Sequence, residues 1–230
     1  MTFRKGFIYR SNPYLVDYEL AEFVGILLGD GSLGVYTSRV NDKVKTQYRI
    51  KITLNSIKDL EYSAYVARLF ISIFNQAPKV RKRKEANAVD VYMLGSVPLQ
   101  FLLDQGMVLA PKWGRAMVPE RFMVPPLDKL VIRGYMDTDG CVAAVNNNGI
   151  RYPRIEMKIC PSPMQKQLIQ ILEQNGFEPQ INKLDKGKVR VVLAGLRNLW
   201  KWNESIGFSN SRNIRVAESF LTKKTTTPPR

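Results

Sequence analysis

The chain has 230 residues, 45% of them hydrophobic, and carries 35 Lys and Arg against 20 Asp and Glu, for a formal charge of +15. A field of that sign attracts polyanions, nucleic acid first and anionic membrane surfaces second. With no histidine and only Cys141 and Cys160, the chain has no Ser-His-Asp triad and no His-based or Cys-rich zinc site.

Taken in chain order, the first predicted element is an apolar helix over 18–29, which stops at Asp30-Gly31. A hairpin follows, with strands near 32–39 and 47–54. Ser56 and Asp59 then open an amphipathic helix whose inward face is predicted to hold Leu60, Ala64, Ala67 and Ile71. A second hairpin near 78–84 and 88–94 and a closing helix complete the first unit. The stretch APKWGRAMVPERFMVPP has four prolines and no periodicity and reads as a linker. After it comes a helix over 127–138, ending at Asp139-Gly140. A hairpin with strands near 141–146 and 151–160 turns at NNNG, which is good turn chemistry. Ser162, Pro163 and Gln165 spell a capping box for a helix with Leu168, Ile171 and Leu172 inward and Gly176 at its end. Strands near 178–184 and 188–194 and a last helix close the chain.

The two units repeat one another. Asp30-Gly31 aligns with Asp139-Gly140, Arg49 of YRIKITLNS with Arg154 of PRIEMKICPS, and Gly95 and Gly106 with Gly195 and Gly207. The order α-β-β-α-β-β-α therefore occurs twice, in copies of roughly 100 residues, an ordinary domain size. The domain organisation is 1–108, a linker at 109–126, and 127–230. The fold class is α+β, with antiparallel sheets in two pseudo-symmetric repeats.

Strand alternation gives each sheet an apolar face and a basic one. Ile50, Ile52 and Leu54 oppose Gln47, Arg49 and Lys51; Ile155, Met157 and Ile159 oppose Arg154 and Lys158. The segments KVRKRK (79–84) and NKLDKGKVR (182–190) add further charge. Charges on one outer strand are ordinarily just solvated, but four basic hairpins in such a cationic chain favour duplex DNA. A two-stranded ribbon fits the major groove, and Lys and Arg neutralise phosphates. The candidate DNA-binding residues are Arg39, Lys43, Lys45, Gln47, Arg49, Lys51, Lys79, Arg81 and Arg83 in the first copy. In the second they are Arg151, Arg154, Lys158, Lys183, Lys186, Lys188 and Arg190.

One Asp-Gly after a helix is common turn chemistry, with glycine supplying a positive φ. Two of them in a duplicated chain say more. Gly25 and Gly29, and likewise Gly134 and Thr138, are small residues four apart, a spacing that lets two helices pack closely. Packed on that seam, their C-terminal ends bring Asp30 and Asp139 together. Two carboxylates there repel each other and the helix dipoles unless a cation intervenes. Mg²⁺ suits carboxylate, carbonyl and phosphate oxygens, and supports phosphodiester cleavage.

FVGILLGDG (23–31) and IRGYMDTDG (132–140) resemble the paired signatures of the LAGLIDADG homing endonucleases in their monomeric two-repeat form. The resemblance implies motif helices at the repeat interface and sheets forming a saddle over a long DNA site. It implies Mg²⁺ held by Asp30 and Asp139 with help from the Gly29 and Thr138 carbonyls, Mn²⁺ as a substitute, and Ca²⁺ bound without turnover. Both strands would be cut across the minor groove, leaving short 3′ overhangs, by an intron-encoded monomer that needs no protein partner. Lys51, Asn55, Lys112, Lys158 and Arg212 are candidates for basic or polar groups near the scissile phosphates, Lys112 and Lys158 foremost. Leu28 replaces the motif's first acid, which Asp137 keeps; that position is not the metal ligand, and Asp137 is discounted as catalytic. Pro161 stands where some relatives have lysine. The rival readings are an intron RNA maturase and a DNA-binding regulator that never cuts. The N-terminus MTFRKGFIYRSNPY lacks the apolar region of a signal peptide, and no apolar stretch would span a bilayer. An intracellular protein with free thiols is expected.

Overall fold

The computed structural model describes residues 13–40 and 43–222. In chain order these form α1 (Pro13–Leu28), β1 (Gly31–Val40), β2 (Lys43–Asn55), α2 (Leu60–Phe74), β3 (Lys79–Lys82), β4 (Ala88–Leu94) and α3 (Ser96–Asp104). Then come α4 (Leu127–Asp139), β5 (Gly140–Asn147), β6 (Ile150–Ile159), α5 (Met164–Gln174), β7 (Gln180–Lys183), β8 (Val189–Ala194), α6 (Leu196–Ser205) and α7 (Ser211–Leu221). The strands make two antiparallel four-stranded sheets with matching orders, β1-β2-β4-β3 and β5-β6-β8-β7. The fold is α+β with an internal repeat. The second copy has one helix more than expected, α7, capped by Asn210, whose side chain accepts the Arg212 N–H at 3.0 Å.

The sheets are paired residue by residue as the repeat demands. Arg49 lies opposite Leu94 and Arg154 opposite Ala194. Next to each pair a glycine N–H bonds to the strand: Gly95 to the Tyr48 carbonyl and Gly195 to that of Pro153. The β5–β6 hairpin turns on Asn148 (φ 50°) and Gly149 (φ 81°), the two positive angles that a tight hairpin of this twist requires. The β1–β2 hairpin pairs as far as Val40 with Lys43, well past the expected strand ends, and its outer part is exposed on both faces.

Each sheet turns one face to the helices. Ile50, Ile52, Leu54, Val89, Val91 and Met93 fill the first core, and Ile155, Met157, Ile159, Val191 and Leu193 the second. Burial of such side chains contributes about 1.5–3 kcal/mol each. α1 is buried on all sides from Leu20 to Leu28, which explains its apolar sequence without a polar stripe. One side meets α2, where Phe23 packs edge-on against Phe70 at 4.9 Å. The other meets α4. There the two backbones touch: a Cβ on Gly25 would collide with the Val131 carbonyl, and one on Gly134 with the Glu22 carbonyl. The contact is reciprocal, as pseudo-two-fold packing requires.

Three local expectations are corrected. α2 begins at Leu60, and its buried face is Tyr62, Ser63, Val66, Leu69, Phe70, Ile73 and Phe74. Leu60, Ala64 and Ile71 are exposed and Ala67 only partly buried. This helix carries apolar residues all round, so the face with the aromatic rings, which buries the most area, goes inward. Ser56 does not cap it; instead the Asn55 side chain accepts the Ile57 and Lys58 N–H groups at 3.0 and 2.9 Å. In α5 the capping box is absent. Gln165 reaches back to the carbonyls of Ile159 and Gly187, and the Ser162 hydroxyl donates to that of Cys160. Leu168, Ile171 and Leu172 are buried and Gly176 ends the helix at φ 73°, as expected.

The 109–126 segment is packed in place, with Ala116, Val118 and Phe122 buried. No helix among the described residues is long and apolar enough to cross a membrane. Because the helix seam has no room for a side chain, Gly134→Ala should lower the unfolding free energy by about 2 kcal/mol or more. The exposed-site change Leu60→Ala should stay within about 0.5 kcal/mol. Urea denaturation followed by circular dichroism measures both.

Candidate functional site

The seam carries the two acids to one place. At the end of α1, Gly29 lies against Thr138, whose hydroxyl fills the space a Cβ would need. The Thr138 hydroxyl stays within its helix, bonding to the Gly134 and Tyr135 carbonyls at 3.0 Å each. Asp30 follows Gly29, and Asp139 follows Thr138 as the last residue of α4. The Asp30 carbonyl accepts the Thr53 N–H at 3.2 Å, which ties the motif to β2. Neither Asp-Gly glycine has the positive φ expected of a turn. They are needed for closeness: a Cβ on Gly31 would strike Leu27, and one on Gly140 would strike Met136 and the Glu156 carbonyl.

Lost hydration and then the neighbouring Asp139 raise the Asp30 carboxyl from 3.8 to about 7, against the pull of Lys112. Asp139 keeps solvent-exposed surface but sits in a recess where protein replaces much of the surrounding water. Its carboxyl is raised by that loss of hydration, opposed by Lys112, Tyr135 and Lys158. Among the described residues no group of three or more acidic, His or Cys side chains gathers here or elsewhere.

Lys112 arrives from the segment between the repeats. Its ammonium donates to the carbonyls of Leu27 (2.8 Å), Leu28 (2.8 Å) and Gly29 (2.6 Å), the open C-terminal end of α1. A cation there offsets both the helix dipole and the two acids. Burial pulls its pKa below the usual lysine value, with Asp139 and Asp30 opposing. Arg212 occupies the corresponding region of the second copy, donating to the Gly140 carbonyl at 3.2 Å and pairing with Asp59 at 3.3 Å. Lys158 is exposed on β6 near enough to influence Asp139. Asn55 is occupied as the turn-former described above.

Asp137 does structural work. It is buried, and accepts the N–H groups of Ser209 (2.5 Å) and Asn210 (3.0 Å) and the Asn213 amide (2.8 Å). These bonds lower its pKa, but burial prevails and holds it at about 6. Asn210 also donates to Asp59 and to the Asp137 carbonyl. Buried Glu22 accepts from Tyr65 (2.7 Å), Ser209 (2.5 Å) and Arg133. This network locks α7 and the preceding loop onto the seam. Sequence reasoning missed it, because it joins residues up to 187 positions apart.

The basic residues divide by strand parity. Lys43, Lys45, Gln47, Arg49 and Lys51 share the face of β2 that points away from the helices, and Lys79 and Arg81 of β3 lie alongside, opposite Tyr92 and Asp90. Arg83 follows on the same face. In the second copy that face holds Arg154, Lys158 and Arg190. Lys186 and Lys188 lie at the β7–β8 turn, with Lys188 over the exposed Trp113 ring at 5.2 Å. Arg39, Arg151 and Lys183 point to the other face, since each pairs with a residue of the opposite parity: Val44, Asn146 and Val189. Arg151 stacks on Phe220 of α7 at 4.9 Å.

Comparison with protein-family models matches residues 22–195 to the LAGLIDADG DNA endonuclease family. Among solved structures, I-DmoI in complex with DNA and Mn is similar at 17% identity and a TM-score of 0.58, covering 85% of this chain and 99% of that one. The meganuclease I-SmaMI bound to uncleavable DNA is similar at 9% identity and a TM-score of 0.62, covering 88% of each chain. No curated protein sequence matches.

The two acids of the second motif should behave oppositely to the acid of the first when stability is measured without metal. Asp137→Ala leaves buried donors unpaired and should cost about 2–4 kcal/mol. Asp30→Asn removes a disfavoured charge and should stabilise by roughly 1–2 kcal/mol at pH 8, allowing for solvent screening. With a folded pKa of about 7 against an ordinary 3.8, the charge penalty grows as pH rises between those values and is constant above them. The advantage of Asp30→Asn should therefore shrink at pH 4.5. Thermal unfolding in EDTA at both pH values tests this.

Proposed function

This chain belongs to the LAGLIDADG DNA endonuclease family, and we propose that it is a site-specific homing endonuclease that cuts both strands of a DNA duplex with divalent cations held by Asp30 and Asp139. The observation that carries the reading is the meeting of two carboxylates at the C-terminal ends of two helices in backbone contact. The donor set fits a hard cation. Both acids are poorly hydrated, their charges are unfavourable as they stand, and carbonyl oxygens of the α1 end lie beside them. Two carboxylates leave most of an octahedral shell for waters and phosphate oxygens, as Mg²⁺ prefers. I-DmoI itself has been crystallised with DNA and Mn, Ca or Mg.

A bound divalent cation supplies an acidified water and charge neutralisation at the scissile phosphate. The residues of the chain do the rest. Asp30 and Asp139 hold the cation from the protein side, with the Gly29 and Thr138 carbonyls as further donors. Lys112 keeps a positive charge between the acids and the α1 carbonyls; when DNA arrives, its ammonium is the nearest protein cation to offer the phosphate. Lys158 and Arg212 serve the second half of the site. The outward strand faces hold the duplex, their lysines and arginines neutralising phosphates and fixing its position. One active centre per half and two halves per chain make a monomer sufficient for a double-strand break. We assign the gene to an intron and the products to short 3′ overhangs.

Supercoiled plasmid carrying the target should be linearised by the wild type in Mg²⁺ or Mn²⁺, and bound without cutting in Ca²⁺. Asp30→Asn and Asp139→Asn should each abolish linearisation, and Lys112→Met should slow it by about 10²-fold or more. Undiminished cutting by both Asp variants would end the assignment.

A further inference from the structure

The outward face of the first sheet should be uniformly cationic if its only task were to hold phosphates. It is not. Asp90 lies in the middle of that face, opposite Thr53 of β2 and Arg81 of β3, and is only 2% exposed. A buried carboxylate under a polyanion would repel it unless its charge were fully engaged. Asp90 is engaged mainly by Arg83, whose Nε donates to Oδ2 at 3.0 Å and Nη2 to Oδ1 at 2.7 Å. The Thr53 hydroxyl donates to Oδ1 at 2.8 Å, and Arg81 stands 3.7 Å from Oδ2. Arg83 is thus gripped along one side of its guanidinium. Its Nη1 has no partner among the described residues, and 39% of the side chain is open to solvent. The free end borders a groove of about 240 Å³ shared with Gln47, Arg49, Lys51 and Tyr92.

A guanidinium held along one side presents its remaining N–H groups in a fixed plane, and two such donors match O6 and N7 of guanine. A lysine, or an arginine free to rotate, would serve a phosphate equally well. The second sheet puts Arg190 at the position of Asp90, opposite Lys158, and Glu156 at the position of Lys51. Its carboxylate grips Arg154 instead, at 3.0 Å. The acid is therefore not something the repeat requires for folding at that place.

We propose that Asp90 is a positioning residue for sequence recognition: it fixes Arg83 to read one guanine in the major groove of the half-site that lies on the first sheet. The proposal rests on the endonuclease reading. Sequences bound in Ca²⁺ are selected from a randomised duplex library by the wild type, Asp90→Asn, Arg83→Lys, Arg83→Ala and the Asp90→Asn/Arg83→Ala double variant. Thermal melts confirm that each is folded.

The wild type should show one guanine whose preference falls about tenfold or more in Asp90→Asn and Arg83→Ala, the rest of the site being unchanged. Arg83→Lys, which keeps the charge and most of the affinity, should lose the same preference. Adding Asp90→Asn to Arg83→Ala should change nothing further. An unchanged profile in Asp90→Asn or Arg83→Lys, or a loss spread evenly over the site, overturns the proposal while leaving the endonuclease standing. A wild type that enriches no duplex overturns both.

Discussion

The structure depends on one close approach, that of α1 to α4 through Gly25 and Gly134. Each glycine faces a carbonyl of the opposite helix with no space for a methyl group. Because the contact is backbone to backbone, it fixes the distance between the helices more tightly than interdigitating side chains could. One turn further on, the same seam places Gly29 against Thr138. One residue beyond that, the acids have no freedom to separate. The sheets follow too, since β1 and β5 leave directly from the ends of these helices.

Such an arrangement stores electrostatic cost at its centre. Asp30 and Asp139 lie at helix ends already rich in carbonyl oxygens, and each loses hydration there. The protein offsets part of this with Lys112, and anchors the surroundings with buried acids that are fully bonded, Asp137 and Glu22. The contrast between Asp137 and Asp139, two residues apart, shows how environment assigns roles. One is buried among N–H donors and holds the fold. The other faces the recess with few donors and is available to a ligand. The first copy has Leu28 where the second has Asp137, so only the second copy can anchor an additional helix in this way.

Much of this was legible in the sequence because it is local or repeated. The doubled Asp-Gly, the four-residue spacing of small residues and the alternation of Ile50, Ile52 and Leu54 each follow from a single period. The Asn148-Gly149 turn announces itself by composition. What was not legible depends on choices between near-equal alternatives. α2 has apolar residues on every side, so its inward face was decided by which rings fit against Phe23. Capping of α5 was lost because Gln165 found carbonyls from two other segments. Arg39, Arg151 and Lys183 were chosen for charge when strand parity pointed them elsewhere. Asp90 stood in plain alternation between Val89 and Val91, yet its meaning required knowing that Thr53 and Arg83 would meet it. The reach of Lys112 into α1 is a long-range fact with no sequence signature of its own.

That reach gives the connecting segment a role beyond joining two halves. The Ala110 N–H bonds to Leu33 of the first copy at 2.8 Å, and the Gly114 N–H to Pro161 of the second at 2.8 Å. Lys112 hangs between these two moorings like the centre of a short bridge. Dividing the polypeptide here to make separately expressed halves, or lengthening the bridge with flexible spacer, would keep both sheets and both acids yet set the ammonium adrift. Redesigned single-chain fusions of unrelated halves inherit the same requirement: the joint must be taken over with its moorings, as a part of the reaction centre.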